Sequence, residues 1–467
     1  MKGSLTKILS SLCLTVAVAP SAAAPEPGWT LQARMGTGDT FLTDLDGNVA
    51  HTWSSSYAPG LMPYLLENGE IMRPAVDGSI PGPSGAGVGG RIQRIAWDGT
   101  VVWDYAEDNP STRQHHDIEV LPNGNVLILQ WDRISAADAL AAGRNPALLP
   151  GEVWSERIIE VRQTGPTTGE IVWEWRAWDH LIQDFDPGLA NFGVVADHPE
   201  KINVNYVPRG GNDPDWLHIN GMDYNAELDQ IVLSINAFDE FWIISKDTAD
   251  TGEIMYRWGN PAAYQMGTLA DQTLFNQHDA RWIEEGLRGE GNILVYNNGV
   301  GRPSGTFSSV DEIITPLNPD GTYDRVPGET FGPSSAIWTC ENAGGNTFYS
   351  PIISGAQRLP NGNTLICVGQ PGEFIEVDEF CQIQWTQSPG GLHFRATRIG
   401  IRDARVRDLL WCGADVAEPY DVLNFFDVSA YIAQFVASDP AADLDTNGVL
   451  NFFDVSEYIA RYNAGCP

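Results

Sequence analysis

The chain has 467 residues, and its 27 Lys and Arg against 61 Asp and Glu give a formal net charge of −34 at pH 7. Such an acidic surface repels phosphate backbones, which excludes nucleic acid as a partner. An anionic small molecule is not excluded, because salt screens distant charges beyond about 8 Å and a local cationic site then dominates. The 48 Gly, 30 Pro and 16 Trp, with few long helical patterns, predict an all-β chain with many turns.

The first segment, residues 1–24, predicts a secretory signal peptide. Lys2 and Lys7 precede an apolar stretch at 8–18, and small residues lead to a cleavage site just before Pro25. The stretch is too short to span a bilayer, and no later run of about 20 apolar residues exists. We therefore expect an exported protein, periplasmic, extracellular or on the cell surface, with no membrane span.

Residues 25–410 contain repeats that predict a β-propeller. Gly-containing turns followed by β-branched residues and then Trp end at Trp53, Trp103, Trp173 and Trp258, with looser copies at Trp338 and Trp385. Tight Asn-Gly-type turns alternate with them, as in the identical Leu-Pro-Asn-Gly-Asn segments that start at Leu121 and Leu359. Six copies predict six blades, with the Trp side chains packed between blades.

Two other segments of this region have distinct predictions. The stretch 392–399 is strand-like and is expected to close the ring with strands at 30–43. The insertion at 178–214 is rich in Asp, Asn, Pro and Gly, and it predicts an ordered loop over one mouth of the propeller.

The tail, residues 411–467, predicts a small helical module that binds calcium. The segment Val-Leu-Asn-Phe-Phe-Asp-Val-Ser occurs at 422–429 and again at 449–456, which indicates two similar short helices. The second copy completes a calcium loop with oxygen ligands at positions 1, 3, 5, 7, 9 and 12 and Gly at position 6. The predicted ligands are Asp443, Asp445, Asn447, the Val449 carbonyl, Asn451 and Asp454. In the first copy only Asn424 and Asp427 match, so its site is expected to be degenerate or empty.

This duplicated pattern resembles dockerin modules, whose calcium loops hold a pair of helices. The resemblance implies structural Ca²⁺ and a protein or cell-surface partner for the tail. A sorting or surface-retention tag is the alternative role.

The cysteines point to an oxidising compartment. Cys412 and Cys466 bracket the tail and are expected to close it with a disulfide. Cys340, Cys367 and Cys381 leave one thiol over, and their pairing stays open.

Three of the eight histidines occupy comparable places, each at or just before a core strand. They are His116 in Gln-His-His-Asp-Ile, His218 in Trp-Leu-His-Ile-Asn and His278 in Asn-Gln-His-Asp-Ala. Propeller geometry brings corresponding positions of successive blades together around the central channel, so we expect a histidine cluster there. A metal site at 115–117 is a weaker interpretation.

The segments 216–220 with 228–234, 277–279 with 291–299, and 355–365 resemble the arylsulfotransferase family, and the similarity covers roughly residues 28–400. The resemblance implies a six-bladed propeller that moves a sulfuryl group from a phenolic sulfate ester to a phenol, with no nucleotide cofactor. It also implies that His278 is the transiently sulfated nucleophile, supported by His116 and His218. A neutral imidazole has the lone pair that attack on sulfur requires, and neighbouring hydrogen-bond donors stabilise the charge on the sulfate and leaving oxygens.

One position departs from the family pattern. Where the family has an arginine after the His-Ile-Asn strand, this chain has Asn236, which donates hydrogen bonds but carries no charge. Another arginine near the motif segments is a candidate to replace it, with Arg302 as the first choice before Arg358, Arg281 and Arg113. A surface or blade-packing role is the alternative for each of them. The alternatives are a non-catalytic ligand-binding propeller retained at the cell surface, which Asn236 favours, and a sulfatase in which water accepts the group.

Overall fold

The computed structural model describes residues 24–107, 109–247, 252–401, 403–410, 414–417, 423–444 and 447–464. The predicted signal segment up to residue 23, Cys412, Asp445 and Cys466 lie outside these residues. None of the helices in the described part of the chain has the length and apolarity that a membrane crossing requires.

Six four-stranded antiparallel sheets form the body of the protein. The strands of the first half are β1 (Gly28–Arg34), β2 (Asp39–Thr43), β3 (Val49–Ser54), β4 (Tyr64–Leu65), β5 (Ile71–Val76), β6 (Gly90–Ile95), β7 (Val101–Ala106), β8 (Thr112–Val120), β9 (Val126–Ile134), β10 (Val153–Gln163), β11 (Gly169–Arg176), β12 (Leu181–Ile182) and β13 (Ile202–Asn203). Those of the second half are β14 (Ile219–Asn225), β15 (Gln230–Ile235), β16 (Glu240–Ser245), β17 (Ile254–Trp258), β18 (His278–Trp282), β19 (Ile293–Asn297), β20 (Ser309–Ile313), β21 (Trp338–Cys340), β22 (Gly355–Arg358), β23 (Thr364–Val368), β24 (Glu373–Val377), β25 (Ile383–Gln387) and β26 (His393–Gly400).

The sheets are the blades of a six-bladed β-propeller, which confirms the predicted fold. In chain order, the first to sixth blades contain β26 with β1–β3, β4–β7, β8–β11, β14–β17, β18–β21 and β22–β25. The last strand, β26, joins the first blade in the order β26-β1-β2-β3, with Leu31 opposite Thr397. The predicted closure of the ring is therefore confirmed. The inner strands β4, β8, β14, β18, β22 and β26 lie next to one another around the central channel.

One tryptophan of each blade ties that blade to the next. The indole Nε1–H donates to a backbone carbonyl across the blade boundary in the pairs Trp53 to Gly69, Trp103 to Thr168, Trp175 to Gly252, Trp258 to Pro333, Trp338 to Glu379 and Trp385 to Leu45. The last pair returns to the first blade, so the tryptophans close the ring. Trp175 takes the place expected for Trp173, whose ring instead lies 5.1 Å from Lys246 Nζ.

The two Leu-Pro-Asn-Gly-Asn segments fold in the same way. In each turn the Asn side chain accepts a backbone N–H two residues on, at 2.9 Å for Asn123 and for Asn361. The following Gly124 and Gly362 have φ of 82° and 86°, a region that residues with a Cβ avoid. The local sequence thus dictates the turn between the first two strands of a blade.

The predicted insertion is ordered around a small parallel pair of strands, β12 and β13. Ile182, Val195, Ile202 and Val204 are buried in the same apolar cluster as the third and fourth blades. The apolar residues of the insertion explain why a long connection keeps one conformation.

Cys340 and Cys381 form a disulfide between the fifth and sixth blades. Cys367 is buried with a free thiol. The structure thus resolves the pairing that the sequence left open.

The α-helices of the described residues are α1 (Ala136–Ala141), α2 (Arg407–Leu410), α3 (Phe425–Val436) and α4 (Phe452–Ala464). The predicted pair of C-terminal helices is present as α3 and α4. Tyr431 and Tyr458 stack between them at 3.9 Å with nearly parallel rings. The duplicated sequence therefore produces a duplicated structure with its own small core.

Candidate functional site

The three histidines meet on adjacent inner strands, where His116 lies within β8, His218 directly precedes β14 and His278 begins β18. The rings of His116 and His218 lie 4.7 Å apart, centroid to centroid. The Phe394 ring lies 6.1 Å from that of His116 and 6.2 Å from that of His278. The structure thus brings the predicted residues together at one end of the channel, around an aromatic side chain.

The backbone is irregular at His116 and His218. His116 and His218 both have a φ of 48°, and the pairing register shifts beside each of them. A left-handed non-glycine residue costs about 1–2 kcal/mol, and β-bulges commonly turn a side chain toward a functional site. Gly87 gives His116 room, since a Cβ there would lie 2.2 Å from the imidazole Cε1.

His278 is held as a neutral imidazole. Its Nδ1 lies 2.8 Å from Asn298 Oδ1 and 3.2 Å from the Asn276 carbonyl oxygen, so Nδ1 carries the proton. Asn298 is oriented because its amide N–H group donates to the Ile353 carbonyl. The Ile353 N–H donates to Nε2 at 3.1 Å. Burial lowers the pKa of His278 to about 3, which leaves Nε2 unprotonated at neutral pH.

His218 forms a histidine–carboxylate pair. Its Nδ1 lies 2.6 Å from Asp215 Oδ2, while the Trp131 indole donates to Oδ1 of the same carboxylate at 3.0 Å. Burial acts to raise the pKa of Asp215, but His218 and these hydrogen bonds hold it below its ordinary value. The carboxylate therefore keeps a proton on Nδ1 of His218.

His116 is the end of a buried chain of hydrogen bonds. Its Nδ1 lies 2.8 Å from Nδ1 of His115, and Nε2 of His115 lies 2.8 Å from Glu156 Oε2. His115 is stacked on the Trp131 ring at 4.2 Å. Burial lowers the pKa of His116 well below its ordinary value and that of His115 to about 3, so both rings are neutral.

Directly behind the histidines, a buried cation joins three inner strands. Arg395 Nη2 lies 2.6 Å from Asp117 Oδ2, and its Nε lies 2.8 Å from Asp279 Oδ1. The Tyr64 hydroxyl donates to the other oxygen of Asp117 at 2.8 Å. No motif in the sequence pointed to this group. Its one local signal is an arginine between the apolar residues Phe394 and Ala396 of β26, which implies a buried partner.

A cavity of about 960 Å³ is lined by the far ends of the inner strands, and none of the three histidines lines it. Tyr64 and Arg281 border both the cavity and the charged group around Asp117 and Asp279. The charged group thus lies between the histidines and this cavity. We assign the candidate site to the histidine end, because the neutral imidazoles are there.

Asn236 lies beside the histidine cluster. Its amide donates to the Gln277 carbonyl at 3.0 Å, and its backbone N–H donates to the His218 carbonyl at 3.3 Å. Arg209, from the insertion, bonds to Oδ1 of Asn236 at 3.4 Å and to Oδ1 of Asn276. An arginine that the sequence did not single out therefore reaches the neighbourhood of His218 and His278.

The Arg302 side chain makes its contacts away from the histidine cluster. Its guanidinium lies 4.5 Å from the centre of the Phe307 ring, and its Nη2 donates to the Ser309 hydroxyl at 2.9 Å. Its described contacts include none of the three histidines.

The predicted calcium loop has an ordered frame. The Asp443 carboxylate accepts the N–H groups of Asn447 and Gly448, and the buried Asp454 accepts those of Leu444 and Asn451. Asp445 lies outside the described residues, and no group of three acidic, histidine or cysteine ligands occurs among the residues that are described. The oxygen donors that remain fit a hard cation such as Ca²⁺.

Several solved structures are similar in fold. A Bacteroides caccae protein described as being of unknown function shares 12% identity, with 79% of this chain and 98% of that chain covered and a TM-score of 0.45. A putative 6-phosphogluconolactonase from Bacteroides fragilis shares 12% identity, with 82% and 100% covered and a TM-score of 0.37. Virginiamycin B lyase from Staphylococcus aureus shares 10% identity, with 78% and 84% covered and a TM-score of 0.36.

No function follows from those structures at this level of identity and overlap, and no curated protein matches the sequence. The model of the arylsulfotransferase (ASST) family matches residues 36–387, well over half of the chain and nearly the whole propeller. The three histidines lie within that match, on the inner strands of adjacent blades. The chain belongs to the arylsulfotransferase family.

Proposed function

We propose that this protein transfers a sulfuryl group from a phenolic sulfate ester to a phenol through a sulfated His278. The observation that carries the proposal is the protonation state of the His278 imidazole. The chain belongs to the arylsulfotransferase family, in which a histidine is the expected nucleophile. Asn298 fixes the proton on Nδ1, and burial keeps the ring neutral, so Nε2 has the lone pair that attack requires.

In the first half of the reaction, Nε2 of His278 attacks sulfur, and the bond between sulfur and the phenolic oxygen breaks. The phenoxide leaves and takes up a proton. Attack also requires that the Ile353 N–H release Nε2, which leaves this N–H as a donor beside the transferred group. In the second half, a phenol oxygen attacks sulfur, the bond to Nε2 breaks, and the phenol proton passes to a base.

His218 and His116 are suited to the proton transfers, because a hydrogen bond at Nδ1 holds each ring and Nε2 is then available to exchange a proton. We propose that Asn236 donates to the sulfate oxygens. Its contact with Arg209 supports Arg209, rather than Arg302, as the positive charge at the site.

A second candidate is a non-catalytic propeller that binds aryl sulfates without turnover. Two observations favour it, namely the uncharged Asn236 and the Ile353 N–H that occupies Nε2 of His278. A sulfatase, with water as the acceptor, is the third candidate.

We further propose that the protein is exported through the segment 1–24 and that the C-terminal module binds Ca²⁺ and a partner outside the cell. The disulfide between Cys340 and Cys381 supports an oxidising compartment.

The test is phenol release from a chromogenic aryl sulfate, with and without an added phenol. We expect release that depends on the added phenol, the transfer product in equal amount, and a sulfuryl adduct on His278 by mass spectrometry when the acceptor is omitted. His278→Ala is expected to abolish all three. His198→Ala is the control, since this exposed side chain contacts Glu200 away from the cluster.

Release that is independent of a phenol acceptor would establish the sulfatase. Tight binding of aryl sulfates without release by the folded protein would establish the binding propeller and contradict the transferase.

A further inference from the structure

The residues behind His116 form a continuous path for a proton. Glu156 lies on β10 and His115 on β8, and both side chains are fully buried. The path runs from Glu156 Oε2 to Nε2 of His115 and from Nδ1 of His115 to Nδ1 of His116, with both contacts at 2.8 Å. The Trp131 ring, stacked on His115, keeps the imidazole in this orientation.

The hydrogen bonds couple the protons of all three groups. A hydrogen bond between two Nδ1 atoms requires that one carry a proton and the other a lone pair. If Glu156 is protonated, it donates to His115, His115 donates to His116, and Nε2 of His116 carries a proton. If Glu156 is ionised, every hydrogen bond reverses, and Nε2 of His116 is a lone pair. The two states differ by one proton, although both imidazoles stay neutral.

The surroundings of Glu156 permit both states. Its Oε1 accepts the Ile219 N–H at 3.0 Å, which fixes the carboxyl group between β10 and β14. The charged groups that act on it, Asp215 and Asp132, are both acidic, and burial raises its pKa well above the ordinary value. Burial therefore favours the protonated form of this carboxyl group, at a site that solvent does not reach.

We propose that Glu156 and His115 are a proton relay that makes His116 a general acid in the first half of the reaction and a general base in the second. This inference deepens the proposed function and rests on it. When the sulfur–oxygen bond breaks, Nε2 of His116 gives its proton to the phenoxide, His115 reprotonates His116 through Nδ1, and Glu156 reprotonates His115. The incoming phenol later returns one proton along the same path. The protons balance over the cycle, and no other reactant is required.

Glu156→Gln tests the relay with little change in shape. The Ile219 N–H retains the amide oxygen as its acceptor, so the NH₂ group of Gln turns toward Nε2 of His115. His115 then donates to His116, and Nε2 of His116 keeps a proton that cannot be replaced. Glu160→Gln is the matched control, because Glu160 lies on the same strand but bonds to Asn125 and Lys246.

The kinetic measurement is kcat/KM for two donors, phenyl sulfate and 4-nitrophenyl sulfate, at a fixed acceptor concentration. In a two-step transfer this ratio reports the first half alone. Phenoxide is a stronger base than 4-nitrophenoxide and needs the acid more. We expect Glu156→Gln to lower kcat/KM for phenyl sulfate by about 10²-fold to 10⁴-fold, with a loss for 4-nitrophenyl sulfate at least about tenfold smaller. Equal losses for the two donors, or none, in a folded variant would overturn the relay.

The second measurement needs no turnover, so it separates failure of the relay from failure of the proposed function. In a ¹⁵N-histidine NMR titration of the whole protein, we expect Nε2 of His116 to change from N–H to a bare nitrogen as pH rises, without an imidazolium stage. In Glu156→Gln, Nε2 should stay protonated. A His116 tautomer that does not depend on pH in the wild type would contradict the relay, even if sulfuryl transfer is observed. If no donor is turned over and the titration still behaves as expected, the proposed function fails and the relay stands as a property of the site.

Discussion

The guanidinium of Arg395 and the carboxylate of Asp117 form a buried ion pair between the last inner strand and the third blade, with Nη2 and Oδ2 2.6 Å apart. Asp279 of the fifth blade holds Nε of the same guanidinium at 2.8 Å. One cation therefore joins three blades directly behind the histidines. A Cβ at Gly221 would lie 2.6 Å from Nη2, which shows how tightly the group is packed.

Arg395→Met should destabilise the propeller strongly, because it leaves the buried Asp117 without its cation and Asp279 with Arg281 alone. Removing one partner of a buried pair costs about 3–5 kcal/mol. We expect a loss of this size in the free energy of unfolding, measured by urea denaturation with tryptophan fluorescence. Arg162→Met is the control, since Arg162 and Glu170 are more than half exposed and such pairs contribute less than about 1 kcal/mol. Equal midpoints for the two variants would contradict the structural role of Arg395.

The features that could be predicted from the sequence are those that repeat locally. The Trp at the end of each blade and the Asn-Gly turns predicted the six blades, and the histidines at equivalent strand starts predicted their own convergence. Arg395 has no comparable signal, because its partners are 278 and 116 residues away along the chain. Arg209 comes from an insertion without any repeat, and Glu156 reaches His115 only once β8 and β10 flank β9.

Asp215→Asn should reverse the tautomer of His218. The Trp131 indole retains the amide oxygen, so the amide NH₂ group faces Nδ1 and the proton moves to Nε2. If His218 acts as an acid or base in transfer, kcat should fall by about 10²-fold to 10⁴-fold with little change in KM. The control is Asp213→Asn, two residues earlier and exposed, and steady-state kinetics are the measurement. Unchanged kcat in Asp215→Asn would exclude His218 from proton transfer.

Stability should fall as the pH is lowered below about 6.5, because the unfolded chain protonates histidines that the folded protein keeps neutral. Burial lowers the folded pKa of His115 and of His278 to about 3, and that of His116 well below its ordinary value. The unfolded state then binds more protons, and each such histidine reduces stability by about 1.4 kcal/mol per pH unit. Glu156 acts in the opposite direction above pH 4.5, since burial raises its pKa. The loss should therefore be steepest below pH 4.5.

His278→Asn tests whether a neutral buried histidine causes this pH dependence of stability, because Asn fills a similar space and does not titrate. Urea midpoints measured from pH 7 to about pH 4 should depend less on pH in the variant than in the wild type, by the slope of one histidine. Parallel curves would show that His278 does not remain neutral in the folded protein.

Calcium removal should loosen the C-terminal module and leave the propeller unchanged. The loop from Asp443 to Asp454 fixes the start of α4, and the stack of Tyr431 on Tyr458 depends on how α4 lies against α3. A ligand present at about 100 times its dissociation constant stabilises a fold by about 2.7 kcal/mol, so chelation should lower the melting temperature of the module.

The tyrosine signal in near-ultraviolet circular dichroism reports the stack of Tyr431 on Tyr458. Calorimetry should find one Ca²⁺ per chain, because the first copy lacks the early ligands. Asp443→Asn should reproduce the effect of chelator, whereas Asp439→Asn, whose side chain caps the turn before the loop, should bind Ca²⁺ normally. A tyrosine signal that does not respond to chelator, or two ions per chain, would contradict this account of the loop.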